Sequence, residues 1–155
     1  ELCLRLNTSR ITAGEFRTLL AQQGITGRPG KYGPDSLILP DYQGAVTALP
    51  GFTEGLFQVQ DQAAQLTDLL CRPLQPGGRY LDACAGLGGK TCALAQSLPE
   101  KAVLYAVEPD RRRNRLLQEN LVRQQLLDLV TPVCSDLQSF ADTKPAPFDG
   151  ILLDA

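Results

Sequence analysis

The sequence predicts an α/β fold: a parallel sheet built from right-handed β-α-β units, preceded by a small α+β unit. Three observations carry that prediction. From Arg79 onward, short apolar runs alternate with longer amphipathic ones, the pattern of strands joined by crossover helices. Four carboxylates, Asp82, Glu108, Asp136 and Asp154, fall at the ends of successive apolar runs. Pro132 stands inside the third of those runs. A proline cannot donate to a sheet ladder, so that run belongs at an edge, which is the place of the third strand in a doubly wound sheet ordered 3-2-1-4-5.

The 155 residues, 43% hydrophobic and 21% charged, have ordinary globular composition, enough for one domain with a small appendage. The net charge of −2 gives no electrostatic basis for strong autonomous binding to nucleic acid. No apolar run is long enough to span a membrane as a helix, and no secretory signal opens the chain. The five cysteines (Cys3, Cys71, Cys84, Cys92, Cys134) include no Cys-x-x-Cys pair. They read as reduced thiols of a cytoplasmic protein, without a zinc ribbon or redox dithiol. Histidine is absent, which removes Ser-His and Cys-His dyads and the usual metal clusters. The chain opens Glu-Leu-Cys and stops in the apolar run Ile151–Ala155, so it is expected to be an internal piece of a longer protein.

The elements follow in order. Residues 2–7, LCLRLN, have the pattern of a half-buried strand. Thr12 and Glu15 form a capping-box signature. Phe16, Leu19 and Leu20 then share a helix face, and Gly24 is placed to end the helix. Residues 24–35 are rich in Gly and Pro and read as a loop. SLIL (36–39), AVTAL (45–49) and LFQVQ (56–60) read as short strands. Residues 1–55 are therefore assigned to the small α+β unit and 56–155 to the sheet. DQAAQLTDLLC reads as a helix with Asp61 at its N-cap. After the break PLQPGG come RYLDA, a helix from about Lys90 to Ser97, AVLYAVE, a helix from about Asp110 to Leu127, VTPVC, a loop, and FDGILLDA. Arg111–Arg113 and Arg115 read as the solvated face of a helix whose Leu117 and Leu121 point inward; contact with RNA phosphates is the other reading of that run.

The stretch DACAGLGGKT (82–91) carries the chemistry. Its Gly-Lys-Thr tail suggests a P-loop, but the leading glycine would have to be residue 84, which is Cys84. The dinucleotide fingerprint is met by Gly86 and Gly88 and then meets Thr91 where a third small residue is wanted. A third register fits better. Asp82-x-Cys84-x-Gly86-x-Gly88 has the form of the acidic-x-Gly-x-Gly-x-Gly turn of S-adenosylmethionine enzymes, with cysteine in the first glycine slot. Glycines there let the backbone come close to a ligand, and the helix N-terminus faces a carboxylate. A tight strand-helix turn without a ligand is the plain alternative. The strand-end acids count against it, because ligands of open parallel sheets lie beyond the carboxyl ends of the strands. Glu108, 20 residues past Gly88, can accept from two ribose hydroxyls, and Asp136 from an adenine amine. Each acid taken alone also suits a helix cap or a turn.

With DACAGLGGKT preceded by LFQVQDQAAQL and followed by FDGILLDA, the chain resembles the bacterial 16S rRNA cytosine-5 methyltransferases of the Sun (Fmu, RsmB) type, in the wider NOL1/NOP2/Sun family. RLN near the start and ALPGF before FQVQD extend the likeness over nearly the whole chain. The resemblance implies a Rossmann-like S-adenosylmethionine-binding half-domain (56–155) behind an RNA-facing subdomain (1–55), with 16S rRNA as partner and no membrane or metal. It implies that Cys84, Ala85, Gly86, Leu87, Gly88, Gly89 and Lys90 wrap S-adenosyl-L-methionine, that Glu108 holds the ribose where the family usually has Asp, that Asp136 meets the adenine, and that Asp154 lies near the methyl donor and a flipped cytosine. Leu87 departs from the family's usual proline, and a looser loop is the expected consequence. The family continues its last strand as Asp-Ala-Pro-Cys and places its nucleophile in a later Thr-Cys. Both catalytic cysteines are therefore expected beyond Ala155, and no methyl transfer is expected from this chain alone. An NAD-dependent dehydrogenase, on Gly86, Gly88 and Glu108, and a non-catalytic RNA-binding module are the alternatives.

Overall fold

The structure, a computed structural model, describes residues 1–33 and 35–154. Pro34, in the expected Gly- and Pro-rich loop, and Ala155 lie outside the described residues. The chain divides into two compact units, Glu1–Leu69 and Leu70–Ala155.

The first unit is a four-stranded antiparallel sheet ordered β2-β3-β1-β4, from β1 (Leu2–Leu6), β2 (Arg28–Pro29), β3 (Ser36–Leu39) and β4 (Phe57–Val59). Leu4 and Leu6 of β1, Leu37 and Leu39 of β3, and Phe57 of β4 are fully buried beside Phe16 and Leu20 of α1 (Ala13–Gln22). The rings of Phe16 and Phe57 lie 5.4 Å apart. Helix α1 starts where the sequence says: Thr12 accepts from the Glu15 amide, and Glu15 accepts from the Thr12 amide at 2.9 Å. The Thr12 hydroxyl, donating to Glu15 at 2.7 Å, and then the Thr12 amide hold the exposed Glu15 carboxyl below the usual carboxylate range. Helix α2 (Gln62–Leu70) follows β4, and its Gln65 side chain donates to the backbone carbonyls of Leu4 and Gln60.

Two expectations change here. The unit runs past residue 55, because β4 pairs with β1 from Leu4↔Val59 to Leu6↔Phe57 and belongs to this sheet. Residues 45–49 are not a strand: Val46–Ala48 form one turn of 3-10 helix. That turn brings residues three apart onto one side, so Val46 and Leu49 both pack on the core.

The second unit is a parallel sheet ordered β7-β6-β5-β8, from β5 (Arg79–Asp82), β6 (Val103–Val107), β7 (Val130–Val133) and β8 (Gly150–Leu152). In order of appearance that is 3-2-1-4, the expected winding, with Pro132 on edge strand β7 opposite Ala106. Alternate residues of each strand face opposite ways. Tyr80, Leu104 and Ala106 pack under α3 (Gly89–Gln96) and α4 (Arg111–Arg123) with Leu94, Leu117 and Leu121. Leu81 and Val107 pack on the other face with Phe140 of α5 (Leu137–Asp142), next to Tyr105 and Phe148. Burying a leucine such as Leu104, Leu117 or Leu121 in full contributes roughly 2 kcal/mol. Helix α4 is shorter than the expected 110–127. It ends at Arg123, Gln125 turns left-handed (φ 59°), and Leu127–Leu129 form a 3-10 turn. Helix α5 occupies part of the expected loop between β7 and β8. Six residues are too few to show a helical period, and its one signal was the Asp136/Ser139 spacing of an N-cap.

Thr12→Ala should lower the unfolding free energy of the chain by about 1 kcal/mol at neutral pH, measured by urea denaturation. Because Glu15 has a lowered carboxyl pKa in the fold, its stabilisation is present above the unfolded carboxylate value and is lost as pH falls through the folded one. The deficit of the variant should therefore shrink in acid.

Candidate cofactor site

Parallel pairing puts the carboxyl ends of β5, β6, β7 and β8 on one edge of the sheet. Asp82 ends β5, Glu108 follows β6, Asp136 lies three residues beyond β7, and Asp154 lies two beyond β8. The connection from β5 to α3 crosses this edge as Ala83–Gly88.

Its path depends on two left-handed glycines, Gly86 (φ 56°) and Gly88 (φ 88°). They need glycine for different reasons. A Cβ on Gly88 would come within 2.6 Å of Leu117 Cδ1 in the core, whereas a Cβ on Gly86 would meet nothing within 4 Å. Gly88 is therefore a packing glycine, and Gly86 opens onto free space at the sheet edge. The turn closes on itself through the Gly88 amide, which donates to the Ala85 carbonyl at 2.9 Å, and Ala85 donates to the Val107 carbonyl of β6 at 3.0 Å.

The carboxylates hold the turn. Glu108 is buried; one oxygen accepts from the Gly86 amide at 3.0 Å and the other from the Asp110 amide at 2.9 Å. The Arg113 guanidinium lies 4.0 Å away. Asp82, also buried, accepts the Thr91 hydroxyl at 2.7 Å. Burial pushes its carboxyl above the usual carboxylate range, and the bonds from Thr91 and the Cys84 amide, with Lys90 nearby, only partly offset that. Lys90 pairs with Asp154, whose negative charge adds to the upward push on Asp82. Asp136 is placed differently. It is the exposed N-cap of α5, one oxygen accepting from the Ser139 amide and the other from the Ser139 hydroxyl, both at 2.8 Å. Those bonds hold its carboxyl below the usual range. The turn, Glu108, Asp82, Lys90 and Asp154 thus form one connected group, and Asp136 stands apart from it as a helix cap. Cys84 is a half-buried free thiol at the foot of the turn, and Leu87 stands out at its tip, 48% exposed.

The family model described as "16S rRNA methyltransferase RsmB/F" matches residues 70–155. The chain belongs to this family. It is 40% identical over 156 aligned residues to the ribosomal RNA small subunit methyltransferase B of Pseudomonas putida, covering 99% of this chain and 35% of that protein. The methyltransferase B of Vibrio cholerae is 39% identical, covering 98% and 34%. The chain thus spans about a third of the length of the curated relatives it matches. A solved structure of a methyltransferase homologue from Pyrococcus horikoshii, 29% identical, superimposes with a TM-score of 0.84 over 99% of this chain and 50% of that one. The structure of NSun6 from the same organism, with SFG, is 18% identical with a TM-score of 0.85 over 99% and 62%, and shares the fold. The Rossmann-like methyltransferase sheet expected from the sequence is therefore the one observed. Among the described residues no helix is long and apolar enough to cross a membrane.

Two residues of this RsmB/F turn escaped the sequence reading. Thr91 figures in the sequence as the end of the Gly-Lys-Thr tail and as an imperfect third glycine, and it stands nine positions from the Asp82 it bonds. Asn120, in the last turn of α4, donates to the Leu87 carbonyl at 3.0 Å across 33 positions. No local pattern marks either pairing.

Thr91→Val keeps the volume of the side chain and removes the donor from a buried carboxylate. It should cost about 2 kcal/mol at neutral pH, read from urea denaturation. The hydroxyl favours the ionised form of Asp82, so its loss costs more where Asp82 is charged. The deficit should be larger near about pH 8 than near about pH 4.

Proposed function

We propose that the protein containing this chain transfers a methyl group from S-adenosyl-L-methionine to C5 of a cytosine in 16S rRNA, and that this chain supplies the cofactor half of the site. The observation that carries the reading is the Asp82–Gly88 turn tied to Glu108 at the carboxyl edge of the sheet, with open space where Gly86 lacks a side chain. The relatives named above as rRNA methyltransferases support it.

The residues present fit such a cofactor. Cys84 to Lys90 would wrap it, since a backbone free of side chains at Gly86 can approach a ligand closely. Glu108 would hold the ribose: each of its oxygens accepts one amide here and keeps a lone pair for a hydroxyl. Asp136 would meet the adenine amine with the lone pairs left by Ser139. Asp154, paired with Lys90, would lie next to the methyl donor and the extruded base. When bound, S-adenosylmethionine supplies an electrophilic methyl group. The nucleophile that activates the cytosine is a thiolate, which the resemblance assigns to the rest of the protein. The first unit (Glu1–Leu69) would face the RNA.

Calorimetry tests the cofactor reading directly. S-adenosylhomocysteine should bind this chain and NAD should not; binding of NAD alone would favour a dehydrogenase, and binding of neither would leave the turn purely structural. Gly86→Ala should weaken S-adenosylhomocysteine by more than about tenfold, a side chain now standing in the open space. Leu87→Pro should do the opposite. Among the described residues the Leu87 amide has no acceptor, so proline sacrifices no bond there. It should tighten binding about two- to fivefold by restricting the free chain.

A further inference from the structure

The proposed cofactor turn is held from below by strands and from behind by helix α4. Leu117 packs under Gly88. Gln124, buried two turns on, accepts from Gln96 of α3 at 3.1 Å. Asn120 lies on the same side between them and reaches the carbonyl of Leu87. This peptide is fixed at both ends: its carbonyl accepts from Asn120 at 3.0 Å, and its N–H, on Gly88, donates to Ala85 at 2.9 Å. The Asn120 side chain is itself oriented, since Arg123 Nη2 donates to its Oδ1 at 3.4 Å. That contact turns the amide nitrogen toward Leu87. Asparagine has a low helix propensity, and in the last turn of α4 its side chain is turned to the Leu87 carbonyl. On one side the Ala85–Gly86 peptide is held by Glu108; the next peptide, Gly86–Leu87, donates to no described residue, so the tip is held beyond it by the Leu87–Gly88 peptide.

We propose that Asn120 is a positioning residue for the cofactor turn: by fixing the Leu87–Gly88 peptide from α4, it presets the path of Gly86–Gly88 before the cofactor arrives. Resting on the cofactor reading above, the proposal adds a residue outside the turn on which affinity depends. Leu87 lacks the ring that would stiffen the tip, and Asn120 supplies that restraint from the helix behind it.

The test uses Asn120→Ala and Asn120→Asp in the whole chain. S-adenosylhomocysteine affinity is measured by calorimetry, the unliganded thermal midpoint by circular dichroism, and amide exchange at Gly88 by NMR. Asn120→Ala should weaken binding about five- to tenfold, the scale of one lost hydrogen bond, and speed Gly88 exchange, while the midpoint falls by no more than about 3 °C. Asn120→Asp should weaken binding further, because a carboxylate would face the Leu87 carbonyl. Unchanged affinity in Asn120→Ala overturns the proposal. So does a loss that vanishes on cooling to a temperature where variant and wild type are equally folded, since the role would then be purely structural. If wild-type chain binds no S-adenosylhomocysteine, the cofactor reading fails separately, and Gly88 exchange decides whether Asn120 holds the turn.

Discussion

Every feature of the site depends on β5 being paired in parallel on both sides, with β6 on one side and β8 on the other. Parallel pairing sends all carboxyl ends to one side of the sheet. A residue placed just past a strand must then share that edge with the residues past its neighbours. Here those residues are acids, and like charges brought together cost free energy. Each acid is offset in its own way: Asp82 by Thr91 and the Cys84 amide, Glu108 by two backbone amides, Asp154 by Lys90, and Asp136 by Ser139. Two aspartates at two strand ends therefore shift in opposite directions. Burial dominates at Asp82 and raises its pKa; hydrogen bonding dominates at exposed Asp136 and lowers its pKa.

The same pairing explains why the turn is so closely specified. The chain leaves β5 at Asp82 and must enter α3 at Gly89 while crossing the ends of β5 and β6. Ala85 bonds back to Val107, Gly86 bonds to Glu108, and Gly88 lies on Leu117. Three successive contacts come from β6, its end, and α4. A turn held this way needs left-handed backbone at two points, which only glycine adopts without strain.

Much of this was legible in the sequence because the signals are local. The alternation after Arg79 gave the strands and helices, Pro132 gave the edge, and the Thr12/Glu15 spacing gave the cap that the structure shows. The readings that changed had weak local signals. AVTAL has the composition of a strand, yet Val46 and Leu49 face one core and a 3-10 turn satisfies both. LFQVQ forms the strand its composition predicts, but its partner is 50-odd residues back in β1, and that pairing, invisible locally, places it in the first unit. Thr91 and Asn120 were beyond reach for the same reason. A hydrogen bond between a helix and a distant turn leaves no period or spacing in the chain.

The Gly-Lys-Thr tail shows how register decides chemistry. In a phosphate-binding loop the lysine and the hydroxyl must both face the ligand. Here each is turned to a carboxylate of the sheet edge: Lys90 to Asp154 of the strand on one side, Thr91 to Asp82 of the strand beneath. A phosphate at this turn would meet Asp82, Glu108 and Asp154 as neighbours, and Lys90 and Arg113 already face two of those acids. An edge so rich in acid repels a polyphosphate and suits a ligand that brings hydroxyls, an amine and a positive centre. Substituting cysteine for the leading glycine at Cys84 thus changes more than backbone freedom. It goes with a sheet edge whose acids disfavour the polyphosphate that the tail residues suggest.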